Sequence, residues 1–260
     1  MLIHFQKYQG TGNDFIMLDN LNGQYNDLSI AQIVQMCDRR FGIGADGLIK
    51  INEHDLLDFD MDYYNSDGSK SFCGNGARCS VAFSKTIGID ALNTRFSAID
   101  GEHSAQMNAE TITLDMLAVN FVNQLDKSFV INTGSPHYIR FVENLENENI
   151  VSIGKEIRYS DPYFKEGINV NLVERITTNS IKIATYERGV EDETLSCGTG
   201  ATACALVVAF SENRIGKNEI AVQVKGGNLK VDFDYLGNGS FTNIKLIGPA
   251  EFVFKGEINV

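Results

Sequence analysis

Residues 73–77 read Cys-Gly-Asn-Gly-Ala and residues 197–201 read Cys-Gly-Thr-Gly-Ala, two nearly identical loops 124 positions apart. The spacing extends beyond the loops. Ahead of the first lies LDFDMDYYN, residues 57–65, and ahead of the second SIKIATYE, residues 180–187. Both alternate with the period of a half-buried strand. Behind each loop a run of small and apolar residues closes on Ile-Gly, at Gly88 and at Gly216, and glycine is the usual helix terminator. The second run is four residues longer, about one helical turn. Paired strands with glycine turns follow, FSAIDGEHSAQM turning at Gly101 and VQVKGGNLKVDF at Gly226. Each half also opens on a glycine turn that leads into an apolar run, Gly12 in GTGNDFIML and Gly134 in NTGSPHYIRFV. GIGADGLI and EGINVNLV occupy the stretches between these landmarks. Such order at nearly one offset predicts a duplicated chain of two α/β units, each with a helix leaving a cysteine loop and surrounded by strands. The expected boundaries are 1–117, with a C-terminal return over 251–260, and 118–250.

Bulk properties narrow the function classes. The chain has 260 residues, 43% of them hydrophobic, enough for two small cores. A net charge of −12 without a basic cluster disfavours nucleic acid and anionic membranes as partners. No apolar run of about 18 residues occurs, so no transmembrane helix is expected. The start, MLIHFQKYQG, lacks the apolar core of a signal peptide, and the cytoplasm is the expected location. Five cysteines, Cys37, Cys73, Cys79, Cys197 and Cys204, include no C-x-x-C pair, so neither a disulfide framework nor a common zinc site is expected.

A cysteine opening a helix sits in a particular field. The first helical N–H groups lack an internal partner, and the helix dipole adds partial positive charge there. Glycines let a bound anion approach the backbone, which makes a cradle suited to a carboxylate. The same field favours thiolate, with a pKa of about 3.5–7.5 against about 8.5 when free. Two such loops, one from each half facing a common cleft, suit inversion at a carbon that bears a proton. One sulfur removes the proton and the other delivers one to the opposite face. The pair must then be chemically alike and oppositely protonated, with coupled titrations. The carbanion beside a carboxylate would be stabilised chiefly by N–H dipoles aimed at that carboxylate.

Other readings of the same residues stay open. A Cys–His nucleophile system would draw on His137 in GSPHYI, since His4, His54 and His103 lie in no motif. Cys73 and Cys197 could form a redox pair. Neither loop reads G-x-G-x-x-G and no Walker motif occurs. A pyridoxal phosphate racemase would need a Schiff-base lysine, and neither cysteine loop contains one.

The motifs GTGNDF, GIGADG, YNSDGS followed by CGNGAR, GSPH, YERG and CGTGA together resemble the diaminopimelate epimerase family, over Lys7 to about Gly256. The resemblance implies an isomerase of lysine biosynthesis that interconverts LL- and meso-diaminopimelate without cofactor or metal. It implies two pseudo-symmetric domains, each a curled, mostly antiparallel sheet around a central helix, and commonly a homodimer. Cys73 and Cys197 match the two acid/base cysteines. Gly74, Asn75, Gly198 and Thr199 match residues that hold the carboxylate at the reacting centre. Glu187 and Arg188 match a pair near the substrate amino group, Arg188 also reaching the far carboxylate. Asn13, Asn65 and Asn169 match residues that read the distal amino-acid end, and His137 and Glu187 match residues that tune the cysteines. Ser135 stands where many members have Asn, Gly47 where some carry Gln, and Phe254 where a Tyr helps dimer contact in some; Gly47 and Ser135 are counted with the substrate-binding positions. The loop GVEDETLS after Arg188 is one residue longer than the usual form. Racemases of proline or hydroxyproline type and a non-catalytic amino-acid binder of the same fold are the alternatives.

Overall fold

The computed structural model describes residues 1–89, 92–108 and 111–260, which fall into two compact units, Met1–Leu114 with Gly248–Val260, and Asp115–Ile247. The first contains β1 (Leu2–Gly10), β2 (Asn13–Asn20), α1 (Ile30–Cys37), β3 (Gly47–Asn52), β4 (Phe59–Asn65), α2 (Gly74–Thr86), β5 (Asn93–Ala98), β6 (Gly101–Asn108) and β7 (Thr111–Asp115). The second contains β8 (Val122–Gln124), β9 (Ser128–Asn132), β10 (Pro136–Val142), α3 (Ile150–Arg158), β11 (Asn169–Thr177), β12 (Ser180–Glu187), the two-residue β13 (Asp192–Glu193), α4 (Gly198–Ser211), β14 (Gly216–Val224), β15 (Gly227–Gly237) and β16 (Ser240–Pro249). The last strand, β17 (Glu251–Asn259), pairs with β1 and completes the first unit, as β8 paired with β9 completes the second.

Both units follow one pairing rule. The hairpin β1–β2 is antiparallel, β2–β3 parallel, β3–β4 antiparallel, β4–β5 parallel and β5–β6 antiparallel. In the second unit β9–β10, β10–β11, β11–β12, β12–β14 and β14–β15 repeat that alternation. A parallel pair needs a crossover, and α1, α2, α3 and α4 fill the four crossovers. This is the α/β architecture expected, mostly strands with four α-helices among the described residues.

The two central helices show why the sheets can curl. In α2 every residue from Gly74 to Ser84 is buried, and in α4 burial is nearly continuous from Gly198 to Ala209. A helix apolar on all sides belongs inside a core rather than on a surface. Ala201, Ala203, Ala205 and Ala209 keep α4 thin enough for β9–β12, β14 and β15 to approach it on several sides. By contrast α1 is amphipathic and starts with a capping box, Ser29 with Gln32, burying Ile33, Met36 and Cys37.

Two details differ from the sequence reading. The four extra residues after the second loop do not form a helical turn, since α4 has 14 residues against 13 in α2. One lengthens the helix and the other three lengthen the link that follows, residues 212–215, in which Asn213 takes φ 50° before Gly216 at φ 98°. The glycine that matches Gly101 is Gly227, not Gly226. Gly101 pairs with Ala98 at φ 133°, and Gly227 pairs with Val224 at φ 149°.

Leu206 lies on the α4 face with no exposed surface. Leu206→Ala is expected to lower the unfolding free energy by about 2–5 kcal/mol, through lost burial and a residual cavity, read by urea denaturation.

Candidate active site

Each cysteine is the N-cap of its helix. Cys73 takes φ −133°, ψ 114° and Cys197 φ −122°, ψ 109°, both extended, and the first helical bonds run from Ala77 N–H to the Cys73 carbonyl at 2.8 Å and from Ala201 N–H to the Cys197 carbonyl at 2.9 Å. Neither sulfur caps its own helix. The N–H groups of Gly74, Asn75 and Gly76, and of Gly198, Thr199 and Gly200, therefore precede any intrahelical acceptor. Cys73 is partly exposed and Cys197 is 8% exposed.

In the first unit Cys73, Asn13 and Asn75 meet directly. The Cys73 Sγ donates to Asn13 Oδ1 at 3.5 Å, and Asn75 Nδ2 donates to the same oxygen at 3.2 Å. Asn13 Nδ2 donates to Asp46 Oδ2 at 2.5 Å. Asp46 also takes Arg39 at 2.7 Å, and Arg39 forks onto Asp14. Burial raises the Asp14 carboxyl, but Arg39 and Lys7 more than offset it and hold it at about 2. The Asn75 Oδ1 accepts from Arg78 Nη2 at 3.0 Å, and Arg78 has no exposed surface. Asn65 sits apart from this cluster, accepting from Tyr63 OH at 2.9 Å and donating to Ser69 and Ser71. Gly47 is its register partner, and a Cβ there would lie 2.4 Å from Tyr63 Cε2 and 2.5 Å from the Tyr64 carbonyl oxygen. A larger residue at 47 would thus have to displace the Tyr63 ring.

The second unit builds its loop differently. The Cys197 Sγ lies 3.4 Å from Thr199 Oγ1, which lies 2.9 Å from His137 Nε2. His137 is fully buried, and its Nδ1 lies 3.1 Å from Asn171 Nδ2. Burial, with Arg188 adding to it, pushes the imidazole down to about 3, so it is neutral. Asn169 Nδ2 donates to Ser135 Oγ at 2.8 Å, and Asn169 Oδ1 accepts from Arg188 N–H at 2.9 Å. The exposed Arg188 guanidinium donates to the Glu166 carbonyl at 2.9 Å. Glu187, half-buried, ends β12, where its carbonyl accepts from Glu191 N–H at 2.8 Å. The long loop after Arg188 is closed by β13 on β12 and by Glu191, whose carboxylate accepts from Tyr186 OH at 2.9 Å and Tyr159 OH at 3.1 Å.

Equivalent strand positions lie 122 residues apart in the ladders. Phe15 faces Gly47 as His137 faces Asn169, and Val170 facing Tyr186 puts Asn169 level with Glu187, as Gly47 is with Asn65. The expected site residues therefore fall at matched places: Asn13 with Ser135, Gly47 with Asn169, Asn65 with Glu187, Asn75 with Thr199. Polar residues outside the expected site set join these clusters, among them Asp46, Arg78, Asn171 and Tyr63. Two carried a signal. Arg78 is a charge inside a run of small apolar residues, and Asn171 shares a strand face with Asn169 at spacing two.

The other three thiols have different surroundings. Burial pushes Cys37 up to about 12, and pushes Cys79 and Cys204 well above the ordinary thiol value. Among the described residues no cluster of His, Cys, Asp and Glu is placed to hold a metal ion, and no helix is long and apolar enough to cross a membrane.

Solved structures share this fold across the whole chain. A phenazine biosynthesis protein of the PhzF family from Bacillus anthracis superposes with TM-score 0.77 at 14% identity, each chain covered fully. A hydroxyproline epimerase from Agrobacterium vitis, with bound trans-4-OH-L-proline, gives 0.70 at 13% identity over 99% of this chain and 91% of that one. Sequence comparison narrows the class. The diaminopimelate epimerase family model matches residues 5–122 and 129–253. The diaminopimelate epimerase of Flavobacterium psychrophilum is 51% identical over 97% of this chain and 98% of the relative, and that of Chlorobaculum tepidum 40% over 96% and 99%. The chain belongs to the diaminopimelate epimerase family.

A histidine whose folded value lies near 3 and whose unfolded value is about 6.5 contributes full stability above about pH 6.5 and loses it as pH falls toward 3, because the unfolded chain binds the extra proton. His137→Gln is expected to flatten this stretch of the acid-stability curve, and nitrogen NMR of the wild-type ring should show Nε2–H imidazole, neutral down to the onset of unfolding. A ring titrating near pH 6.5 would contradict the buried neutral form.

Proposed function

We propose that this isomerase interconverts LL- and meso-diaminopimelate by a two-base mechanism in which Cys73 and Cys197 are the acid/base groups. One thiolate takes the proton from the α-carbon and the other thiol gives a proton to the opposite face. The observation that carries the reading is the duplication itself. Two units of one topology each present a cysteine as the N-cap of a buried helix, in a chain whose family carries out this isomerisation. Backbone N–H groups of Gly74, Asn75, Gly198 and Thr199 suit the α-carboxylate, and as fixed dipoles they stabilise charge that develops there. Asn13, Asn65, Ser135, Asn169, Glu187 and Arg188 supply amide, hydroxyl, carboxylate and guanidinium groups for an amino-acid end. Gly47 leaves room for Tyr63. His137 acts on Cys197 through Thr199. The substrate is a small molecule, and neither cofactor nor metal enters the scheme. The expected location is the cytoplasm.

Turnover in heavy water tests the mechanism. Product should carry solvent deuterium from the first moments while recovered substrate stays protonated, since the base that removes the proton does not return it. Early label in recovered substrate points instead to a single base. Cys73→Ser and Cys197→Ser should each lower kcat by at least about 100-fold, the usual worth of a positioned acid or base, with far-ultraviolet circular dichroism unchanged. Full activity in either variant ends the assignment.

The proposed homodimer uses β17. Phe252, Val253 and Phe254 are 52%, 51% and 44% exposed in consecutive positions, and an apolar strip of that kind marks an association surface. Phe254 stands edge-on to Phe5 at 5.8 Å. Light scattering should give twice the chain mass, and Phe252→Ser with Phe254→Ser should shift it toward the monomer. A wild-type monomer at high protein concentration contradicts the dimer.

A further inference from the structure

The two cysteine loops are alike in backbone and opposite in hydrogen-bond polarity. In the first unit both ends of the chain of amides are fixed by charge. Arg78 can only donate, so Asn75 must turn its oxygen to Arg78 and its Nδ2 to Asn13. The Asp46 carboxylate, held by Arg39, can only accept, so Asn13 must turn its Nδ2 to Asp46 and its oxygen to the sulfur. Cys73 therefore faces a carbonyl oxygen at 3.5 Å, which accepts from S–H and repels S⁻.

In the second unit the logic reverses. Asn171 Nδ2 donates to the Tyr138 carbonyl at 3.1 Å, and its oxygen accepts from Thr185 Oγ1 at 2.9 Å, so the amide orientation is set by groups of known polarity. The same Nδ2 donates to His137 Nδ1, which must be the unprotonated ring nitrogen of a neutral imidazole. The ring proton then sits on Nε2 and is donated to Thr199 Oγ1. That occupies one of the two lone pairs of the Thr199 oxygen, and leaves its single hydroxyl hydrogen able to turn to the Cys197 Sγ 3.4 Å away. A hydroxyl aimed at sulfur favours thiolate.

This difference is built in at depth. His137, Asn171 and Thr185 occupy the places that Phe15, Ile49 and Tyr63 hold in the first unit, each pair 122 residues apart. A Cβ on Gly76 would meet Ile49 and Phe15, and one on the matching Gly200 would meet Asn171 and His137. Conversely Arg78 matches Thr202, 124 residues on, whose hydroxyl donates to the Gly198 carbonyl at 3.0 Å.

From these two polarities we infer that the resting protein holds Cys197 as the thiolate and Cys73 as the thiol, with Arg78 and Asn171 as the positioning residues that set this order. It rests on Cys73 and Cys197 being the acid/base pair. For the epimer whose Cα–H faces Cys197, the first turnover then breaks that bond by transfer to the Cys197 sulfur. The Cys73 S–H bond breaks as its proton joins the other face of the carbon. Cys73 is left as thiolate, and the resting order returns when Cys197 releases its proton and Cys73 takes one from solvent.

Limited alkylation of the wild-type protein with iodoacetamide at neutral pH, read by peptide mass mapping, tests the order. Cys197 should be labelled at least about tenfold faster than Cys73, the thiolate ratio of one pKa unit, although Cys73 is the more exposed. The ultraviolet thiolate band should persist in Cys73→Ser and be absent from Cys197→Ser. In the Cys73→Ser background Thr199→Val should remove the band and Thr199→Ser should restore it, which a purely structural role for the side chain does not predict. Equal labelling, Cys73 labelled first, or a band indifferent to Thr199→Val overturns the inference. Full turnover in either single Cys→Ser variant instead overturns the acid/base assignment itself, so the two failures are read separately.

Discussion

The proposed chemistry depends on a helix that begins at a cysteine inside a curled sheet. The extended N-cap conformation of Cys73 and Cys197 brings each sulfur to the end of a helix whose first N–H groups point the same way. Burial of the helix along its length makes this field strong, because little water screens it. A surface helix with the same sequence at its start would present the same groups in a medium that weakens them.

The sheets exist to enclose those helices. Alternating antiparallel and parallel pairings let six strands wrap a single helix with short connections, the parallel steps being spanned by helices. Strand starts then converge on the helix start. Asn13 at the head of β2 and Ser135 just before β10 come from tight turns at Gly12 and Gly134, both with positive φ, a conformation that suits glycine. Asn169 and Gly47 open the parallel neighbours of those strands. The matched placement of Asn13 with Ser135 and of Gly47 with Asn169 is thus a consequence of register.

Duplication supplies two equivalent loops, and divergence within the cores makes them unequal. A neutral buried histidine with its asparagine costs desolvation, which full hydrogen bonding offsets. A buried guanidinium costs more, and in the first unit it is met by the Asn75 amide oxygen and the Pro249 and Gly74 carbonyls rather than by a carboxylate. Each arrangement constrains the amide or hydroxyl that touches the sulfur. A shared topology does not by itself fix an activity, which depends on the side chains the fold carries.

Much of this was legible in the linear chain because it is periodic. The repeat of Cys-Gly-x-Gly-Ala, strand alternation in LDFDMDYYN and SIKIATYE, and the glycine turns are local signals set by backbone sterics and solvent contrast. They suffice for two α/β units and for placing Cys73 and Cys197, unlike the three other cysteines, at helix starts. Register and polarity were decided only in three dimensions. That three of the four extra residues lengthen a turn rather than the helix depends on where β14 must begin. That Tyr63 fills the space over Gly47, that Arg78 reaches Asn75, and that Asn171 sets the His137 tautomer depend on side chains brought together from distant parts of the chain. Sequence patterns report which face a residue occupies, but the direction of a hydrogen bond follows from the whole set of neighbours that packing assembles.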